Sequence, residues 1–367
     1  MTDNKPLLLH VFSTFKVGGT QVRTVQLIEA LGEHYRHRIV AMDGNYDAIK
    51  LFANPETVDS LPPPVTPGGL LSRLFALRAW LKDQQTAKLF TYNWGSIEIA
   101  AAALLCPKIE HYHFEDGFGP DEAQRQLPRR VWFRRLSLLG AKKLVVPSRL
   151  LQNIAGNIWK IRKSKIQLIE NGIDVAAFER SPDISLLAPN KAENEIWIGT
   201  IAGLRPEKRL DRLIRIFSTL QNGATYRLFL IGTGVLEKEL KSLAKSLGIA
   251  DRVIFPGFLE KPERYLRALD IFVMTSDTEQ FPISLVEAMA AGRPAVCTAV
   301  GDIRSILGNE QQPYICDAGD DEALTEALKT LIQSPELREK LGNLNREKVK
   351  RDYDIRFMLE AYREIFS

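Results

Sequence analysis

The chain has 367 residues, 45% hydrophobic and 26% charged, with a formal net charge of +4 and no low-complexity tract. That length is too great for one comfortable core and suits two domains of roughly 150–180 residues, which excludes a small stapled module and a disordered chain. So mild a positive charge fits a protein that meets anions, whether phosphates or an acidic membrane face, without calling for nucleic acid.

Along the first half, short apolar runs alternate with amphipathic ones. Residues 7–13 (LLLHVFS) read as a buried strand, 19–32 as a helix, 37–43 as a strand and 70–83 as a helix. Strands at 87–93 and 108–115 and helices at 96–106 and 129–140 follow, then a strand at 142–148 that runs into an amphipathic stretch ending at 157. Residues 171–195 are polar, contain proline and lose the periodicity, as a connection between domains does. The rhythm then restarts, with strand-like runs at 196–202, 226–234, 252–258, 271–276 and 294–300. Helical stretches at 209–221, 236–248, 262–270, 284–292 and 321–334 alternate with them, and a long amphipathic segment, 346–366, breaks near 351–354.

The predicted fold is α/β: two Rossmann-like doubly wound domains facing across a cleft, with parallel sheets covered on both faces. The expected division is a first domain over 1–175, a linker over 176–194, a second domain over 195–347 and a C-terminal helix over 348–367 that crosses back to the first domain. Ligands in such sheets sit beyond the carboxyl ends of the strands. Cys106, Cys297 and Cys316 are isolated and lie in or beside apolar runs, so they read as buried thiols of a reducing compartment, neither a disulfide framework nor a zinc site. The first residues are too short an apolar run for a signal peptide, and no run is long enough to span a bilayer. A cytoplasmic location is expected.

Several stretches carry chemistry. In 276–296, SDTEQFPISLVEAMAAGRPAV, Glu279 and Glu287 flank a helix start at Pro282, whose missing N–H costs nothing in a first turn. The free amides of Ile283, Ser284 and Leu285 would form a phosphate site at the positive helix end. Glu287, one turn in, could accept from two adjacent hydroxyls such as those of a ribose, and Glu279 could reach hydroxyls beyond the phosphate. Two solvated surface glutamates would look the same. In GLRPEKRLDRL, 203–213, Arg205 and Lys208 lie in a strand-to-helix loop. They could neutralise a diphosphate that gains charge as its bond breaks, or merely form a basic loop. Lys208 is the stronger candidate, because Arg209, Arg212 and Arg215 read as outward-facing helix residues.

Gly18 and Gly19, between the first strand and helix, would let backbone approach a ligand, although the pattern is not G-x-G-x-x-G. IGTG, 231–234, reads as a tight strand-to-helix turn. In HYHFEDGFGPDEAQRQ, 111–126, His111 and His113 share a strand face, and His113 precedes Glu115 and Asp116. A packed histidine and a ligand-facing one both fit; a metal site lacks a third ligand dictated by spacing. Residues 127–143 place Trp132, Phe133 and Leu136 opposite a basic face, either a buried helix or one that contacts a membrane surface through 129–143.

Taken together, these residues resemble glycosyltransferase family 4, retaining enzymes of GT-B fold that use nucleotide-sugar donors. Glu279, Phe281, Pro282, Leu285, Glu287, Ala288 and Gly292 match that family's E-x7-E segment. GLRPEKRLDRLI, ENGID at 170–174, IGTG, FPGF at 255–258 and GGTQVRTVQLIEAL fall in its order and spacing. The resemblance implies that Glu287 holds ribose hydroxyls and that Glu279 and Phe281 contact the donor. Arg205, Lys208 and the amides of Ile283, Ser284 and Leu285 would then bind the diphosphate, Phe258 frames the base, Gly18 and Gly19 line the donor site, and His113 lies near the donor sugar. Gln280 stands where the family has a small residue, implying an unusual sugar preference. Leu204 follows Gly203 where an arginine is common, shifting that duty to Arg205. The implied activity is retaining transfer of a sugar from a UDP- or GDP-sugar to a glycan or lipid-linked acceptor, in cell-surface polysaccharide or glycolipid assembly at the inner face of the cytoplasmic membrane. The nucleotide-sugar is a substrate, no cofactor or metal is implied, and no nucleic acid is a partner. A sugar-nucleotide epimerase of the same fold and a non-catalytic nucleotide-sugar-binding protein are the alternatives.

Overall fold

The computed structural model describes residues 5–118, 122, 125–220 and 226–366. The chain divides into two compact units, Met1–Asn171 with Met358–Ser367, and Gly172–Phe357. In the first unit β1 (Leu7–Phe12), β2 (Arg36–Ala41), β3 (Val58–Leu61), β4 (Lys88–Tyr92), β5 (Glu110–Phe114), β6 (Lys143–Val146) and β7 (Ile166–Leu168) form one sheet. Its order is β3-β2-β1-β4-β5-β6-β7, and every pair is parallel. Helices α1 (Gly19–Leu31), α2 (Leu70–Asp83), α3 (Ile97–Ala103), α4 (Pro128–Ser137) and α5 (Arg149–Asn157) return the chain between strands.

All six residues of β1 are buried because both faces of the sheet are covered. Leu9 and Val11 pack with Leu77 and Leu81 of α2 and Ile99 of α3. The alternate residues His10 and Phe12 turn to the other face and meet the rings of Phe90 and Tyr92. Helix α5 starts where the Ser148 hydroxyl accepts the Leu151 N–H.

The second unit repeats the plan. Strands β8 (Ile196–Ile201), β9 (Tyr226–Ile231), β10 (Val253–Gly257), β11 (Ile271–Met274), β12 (Ala295–Thr298) and β13 (Ile315–Cys316) form a parallel sheet ordered β10-β9-β8-β11-β12-β13. Its helices are α6 (Leu210–Ser218), α7 (Glu237–Ser246), α8 (Ile283–Ala290), α9 (Ile303–Ile306), α10 (Asp321–Gln333) and α11 (Pro335–Asp352), followed by α12 (Ile355–Phe366). One apolar cluster joins Trp197, Phe229 and Phe272 to Leu285 and Met289 of α8. The other joins Leu228 and Val273 to Leu213, Phe217 and Leu328. Both units are Rossmann-like α/β domains.

The structure departs from expectation in places. Residues 176–194, expected as a linker, group with the second unit, and their Phe178, Leu187 and Ala188 are buried in its core. The 262–270 stretch is two 3-10 turns, Pro262–Arg264 and Leu266–Ala268, because Tyr265 at φ −134° breaks the helical run. Short edge strands β3 and β7 carry too few apolar residues to show as strands. The break near 351–354 has a clear cause. Ile173 donates its N–H to Tyr353 O and accepts from Ile355 N–H, so the chain forms a short bridge between α11 and α12. The last ten residues belong to the first unit, where Lys88 Nζ donates to the carbonyls of Ile365 and Phe366 at the helix end.

Candidate functional site

Strand order reverses between β8 and β11 in the second unit, and loops leaving neighbouring strands on either side of such a reversal part to leave a crevice. The loop after β8 carries Gly203–Lys208, and the loop after β11 carries Asp277–Pro282. The structure joins them. Lys208 Nζ lies 2.6 Å from Glu279 Oε1, and both side chains are mostly buried. Ser276 Oγ donates to the same carboxylate oxygen at 2.7 Å. Thr275 Oγ1 donates to the carbonyls of Lys208 and Arg209, and Asp277 N–H to Glu207 O, stitching the two loops together.

Two glycine turns let this cluster form. IGTG is a turn whose backbone lies directly on the Ala202–Leu204 backbone; a Cβ at Gly232 (φ +139°) or Gly234 would overlap Ala202 O or Leu204 O. Gly301 (φ +57°) likewise lets the loop after β12 press against the carbonyls of Glu279 and Gln280. Arg209, also left-handed at φ +48°, starts α6 and pairs with Asp211 and Asp277. A non-glycine residue held there costs about 1 kcal/mol or more, a strain that marks the loop as over-determined by its neighbours. Arg212 was expected to face outward. It is instead buried and donates to Thr275 O and Asp277, because the β11 end needs a donor there. Arg215 is exposed as expected.

Helix α8 opens the other wall. No side chain caps it. Among the described residues the Ile283 and Ser284 amides have no acceptor, whereas Leu285 N–H already donates to Pro282 O. The expected three-amide cradle is therefore two amides. Glu287 lies one turn in and accepts no hydrogen bond among the described residues. Loss of water, and secondarily the nearby Glu263 carboxylate, push its pKa up to about 7. Arg205 is exposed and pairs with Glu207 at 3.1 Å. Phe258 is exposed just past β10. Phe281 has its ring buried edge-on against Tyr353, so the side chain anchors the loop from inside.

In the first unit the reversal falls between β1 and β4. Gly18 is the N-cap of α1 in extended conformation (φ −170°), and Gly19 is exposed beside it. His113, near the end of β5, is fully buried; its Nδ1 lies 2.8 Å from Thr91 Oγ1, which also contacts His111 Nε2 at 2.7 Å. Among the described residues its Nε2 has no hydrogen-bond partner and stands 3.8 Å from Glu115 Oε2, while Glu115 Oε1 is likewise buried and unpaired. Asp116 is taken up by Arg23 in a two-point ion pair at 2.6 and 2.8 Å. Among the described residues no group of three or more His, Cys, Asp or Glu could hold a metal, and the three cysteines are buried and free. Residues 119–121, 123 and 124 of the 111–126 stretch lie outside the described residues.

The expected residues Lys208, Glu279, Ile283 and Ser284 thus sit on adjoining loops of one crevice. Ser276, Thr275 and Arg212 were missed, since a lone serine, threonine or helix arginine carries no spacing signal. Comparison with known proteins decides the family. The pattern described as Glycosyltransferase Family 4 matches residues 17–177, and that described as Glycosyl transferases group 1 matches 187–348. The chain belongs to glycosyltransferase family 4.

An uncharacterized glycosyltransferase of Haemophilus influenzae is 24% identical to this glycosyltransferase over 98% of the chain and 99% of its own length. The N-acetyl-alpha-D-glucosaminyl L-malate synthase of Bacillus anthracis is 28% identical over 55% of this chain, and the match spans about half of that relative, 53%. The solved structure of Anabaena Alr3699/HepE in complex with UDP and glucose superposes with a TM-score of 0.82 at 16% identity, covering 98% of this chain and 99% of the other. That likeness concerns the fold. No helix among the described residues is long and apolar enough to cross a membrane.

Proposed function

We propose that this glycosyltransferase moves a sugar, with retention at the anomeric carbon, from a UDP- or GDP-sugar to a glycan or lipid-linked acceptor in the assembly of a cell-surface polysaccharide or glycolipid. The observation that carries this reading is the Lys208–Glu279 pair at the β8/β11 reversal, beside the two unpaired amides that open α8. In this reading the diphosphate sits on the Ile283 and Ser284 amides, drawn by the positive end of α8. Lys208 then exchanges Glu279 for a phosphate oxygen and, with Arg205, takes up the charge released as the sugar leaves. Freed, Glu279 accepts from sugar hydroxyls, Glu287 accepts from the ribose, and exposed Phe258 stacks on the base. Two cations and two amides compensate the diphosphate, so the reading calls for no metal.

Relatives support the setting. LpsD of Rhizobium meliloti, 30% identical over 42% of this chain, is a lipopolysaccharide core biosynthesis glycosyltransferase. The Campylobacter jejuni relative, 25% identical over 55% of this chain, transfers N-acetylgalactosamine to a diphospho-undecaprenol-linked sugar. Incubation of purified protein with UDP- and GDP-sugars and lipid-extracted acceptors tests the reading. Transfer, with an axial or equatorial linkage unchanged from the donor by NMR, supports it. Isomerised free sugar nucleotide without transfer would identify an epimerase instead, and tight donor binding without turnover a binding protein.

A further inference from the structure

At the end of the second sheet opposite the crevice, where the chain enters β11 and β12, three arginines collect. Helix α8 stops there in a glycine turn: Gly292, at φ +72°, donates to Met289 O, and the Arg293 N–H reaches back to Ala288 O. Helix α11 crosses this turn at Gly342, where a Cβ would overlap the Gly292 carbonyl oxygen. Arg338 and Arg346 stand four residues to either side of Gly342, on the same stripe of the helix. The close approach that Gly342 allows therefore brings both to the turn that carries Arg293, and the Arg346 guanidinium lies directly against Gly292. All three arginines line one open pocket of about 240 Å³.

Other arginines of this unit are paired. Arg205, Arg209, Arg212, Arg227 and Arg264 each have a carboxylate oxygen within 3.1 Å. Among the described residues none comes within 4.0 Å of Arg293, Arg338 or Arg346. Asp270 lines the pocket, but its Oδ2 already accepts from Lys191 Nζ at 2.6 Å and from the Trp197 N–H at 2.7 Å. Glu339 also lines it and is exposed.

Carbonyls hold the guanidiniums in place. Arg293 donates to Ala291 O and Leu269 O, Arg338 to Leu331 O and Ile332 O at the end of α10, and Arg346 to Asn343 Oδ1. Arg293 Nη2, Arg338 Nη2 and Arg346 Nη1 donate to nothing among the described residues. The ends of α8 and α10 supply about half a negative charge each against three full positive ones, so roughly two remain uncompensated. Exposed Glu339 offsets only part of that in water. Burial above all lowers the Arg293 pKa to about 10; Asp270 opposes the shift, and the charges of Arg346, Arg267 and Arg338 add to it.

We infer that this pocket binds a compact phosphate dianion, either the free ion or a small phosphate monoester, at a site separate from the crevice. Free guanidinium edges match phosphate oxygens in pairs, and two uncompensated charges match a dianion. The volume falls below the roughly 300–1,000 Å³ of ordinary ligand clefts, which leaves room for a phosphate with a small substituent and not for a whole nucleotide. The inference concerns binding alone and does not rest on the donor reading.

Calorimetric titration of sodium phosphate and of glucose 6-phosphate into the full chain, at low salt and about pH 8 where both are dianionic, tests it. Binding is expected, and Arg338→Gln with Arg346→Gln should weaken it at least tenfold. Arg346→Gln alone caps no helix, so it should keep the wild-type melting temperature and still weaken binding severalfold. Lys208→Ala, at the other end of the sheet, and Arg215→Gln, on an exposed face, should each leave a phosphate site of unchanged affinity. Tighter binding of glucose 6-phosphate than of phosphate would support the site and identify an ester as its ligand; the reverse order would support it with the free ion. No binding of either probe, binding abolished by Lys208→Ala, equal weakening by Arg215→Gln, or affinity unchanged in both Arg346 variants would overturn the inference.

Discussion

The two units have the same sheet plan but treat their ionisable groups in opposite ways. In the second, the reversal between β8 and β11 is lined by Lys208, Glu279 and Arg205, with Glu287 one turn into α8. In the first, the strands flanking the reversal carry a chain of buried neutral groups: Tyr92 OH to His10 Nδ1 at 3.0 Å, His10 Nε2 to His37 Nδ1 at 3.1 Å, and His37 Nε2 to Gly32 O at 3.1 Å. Burial lowers the pKa of His10 well below its ordinary value, that of His37 to about 4 and that of His111 to about 3. One sheet keeps its charges at the strand ends where a ligand can use them, and the other has neutralised or paired them. Topology is shared; chemistry is placed by the loops.

The sharpest way to break that contrast is Lys208→Ala. Loss of a well-placed donor to developing charge costs about 3–4 kcal/mol, so turnover is expected to fall by two to three orders of magnitude in a donor-saturated transfer assay. A comparable substitution of an exposed cation in the first unit, Arg149→Ala, is expected to leave turnover near normal. If both variants behave alike, the contrast fails.

Acid tests the first unit. The unfolded chain protonates its histidines near pH 6.5, whereas the folded His37 and His111 resist protonation down to about 4 and 3. The unfolded state therefore binds more protons, and stability is lost as pH falls from about 6.5 toward 4, by on the order of 3 kcal/mol or more from these two groups. Hydrogen exchange at pH 5 against pH 7 should show protection lost first in β1, β2, β4 and β5, with β8 and β11 holding longer.

Glu287 runs the other way. Its folded pKa of about 7 lies above the unfolded value, so between about pH 4.5 and 7 the folded state holds the extra proton and stability declines as pH rises. Glu287→Gln is expected to stabilise the protein by about 2 kcal/mol at pH 8 and by nothing measurable at pH 4.5, seen as a melting-temperature gap that closes on acidification. The same variant should transfer sugar poorly, which would show a group retained for function at a cost in stability. The smallest expected effect is structural: Ser148→Ala removes the cap of α5 and should cost about 1 kcal/mol in denaturant unfolding, without altering donor affinity.

Much of the fold was legible because buried parallel strands must be largely apolar runs, and β1, β4, β8, β9 and β11 are. The short strands β3 and β13 were not, since a run of two to four residues is too brief to show a pattern. Glu279, Glu287 and Lys208 could be singled out because a loop at a strand end and a helix start are both readable in sequence. The Ser276 contact to Glu279, three residues on, could not, because a lone serine carries no spacing signal. The sequence left two orientations of α4 open, and the structure buries Arg134 and exposes Trp132 and Leu136. Periodicity assigns the apolar face inward by default, and only the acids Glu115 and Glu122, distant along the chain, could draw Arg134 inside instead. The burial of the Phe281 ring was not legible either: a motif position shows that a residue matters, not which way it points.

The central claim is that a nucleoside diphosphate binds on Lys208 and the opening amides of α8. Calorimetric titration of UDP and of GDP into the wild-type protein and into Lys208→Ala tests it without any need for the acceptor. The account predicts that one nucleotide binds the wild type and that the variant binds it at least tenfold more weakly. Equal affinity in both proteins, or no binding of either nucleotide to the wild type, would contradict it.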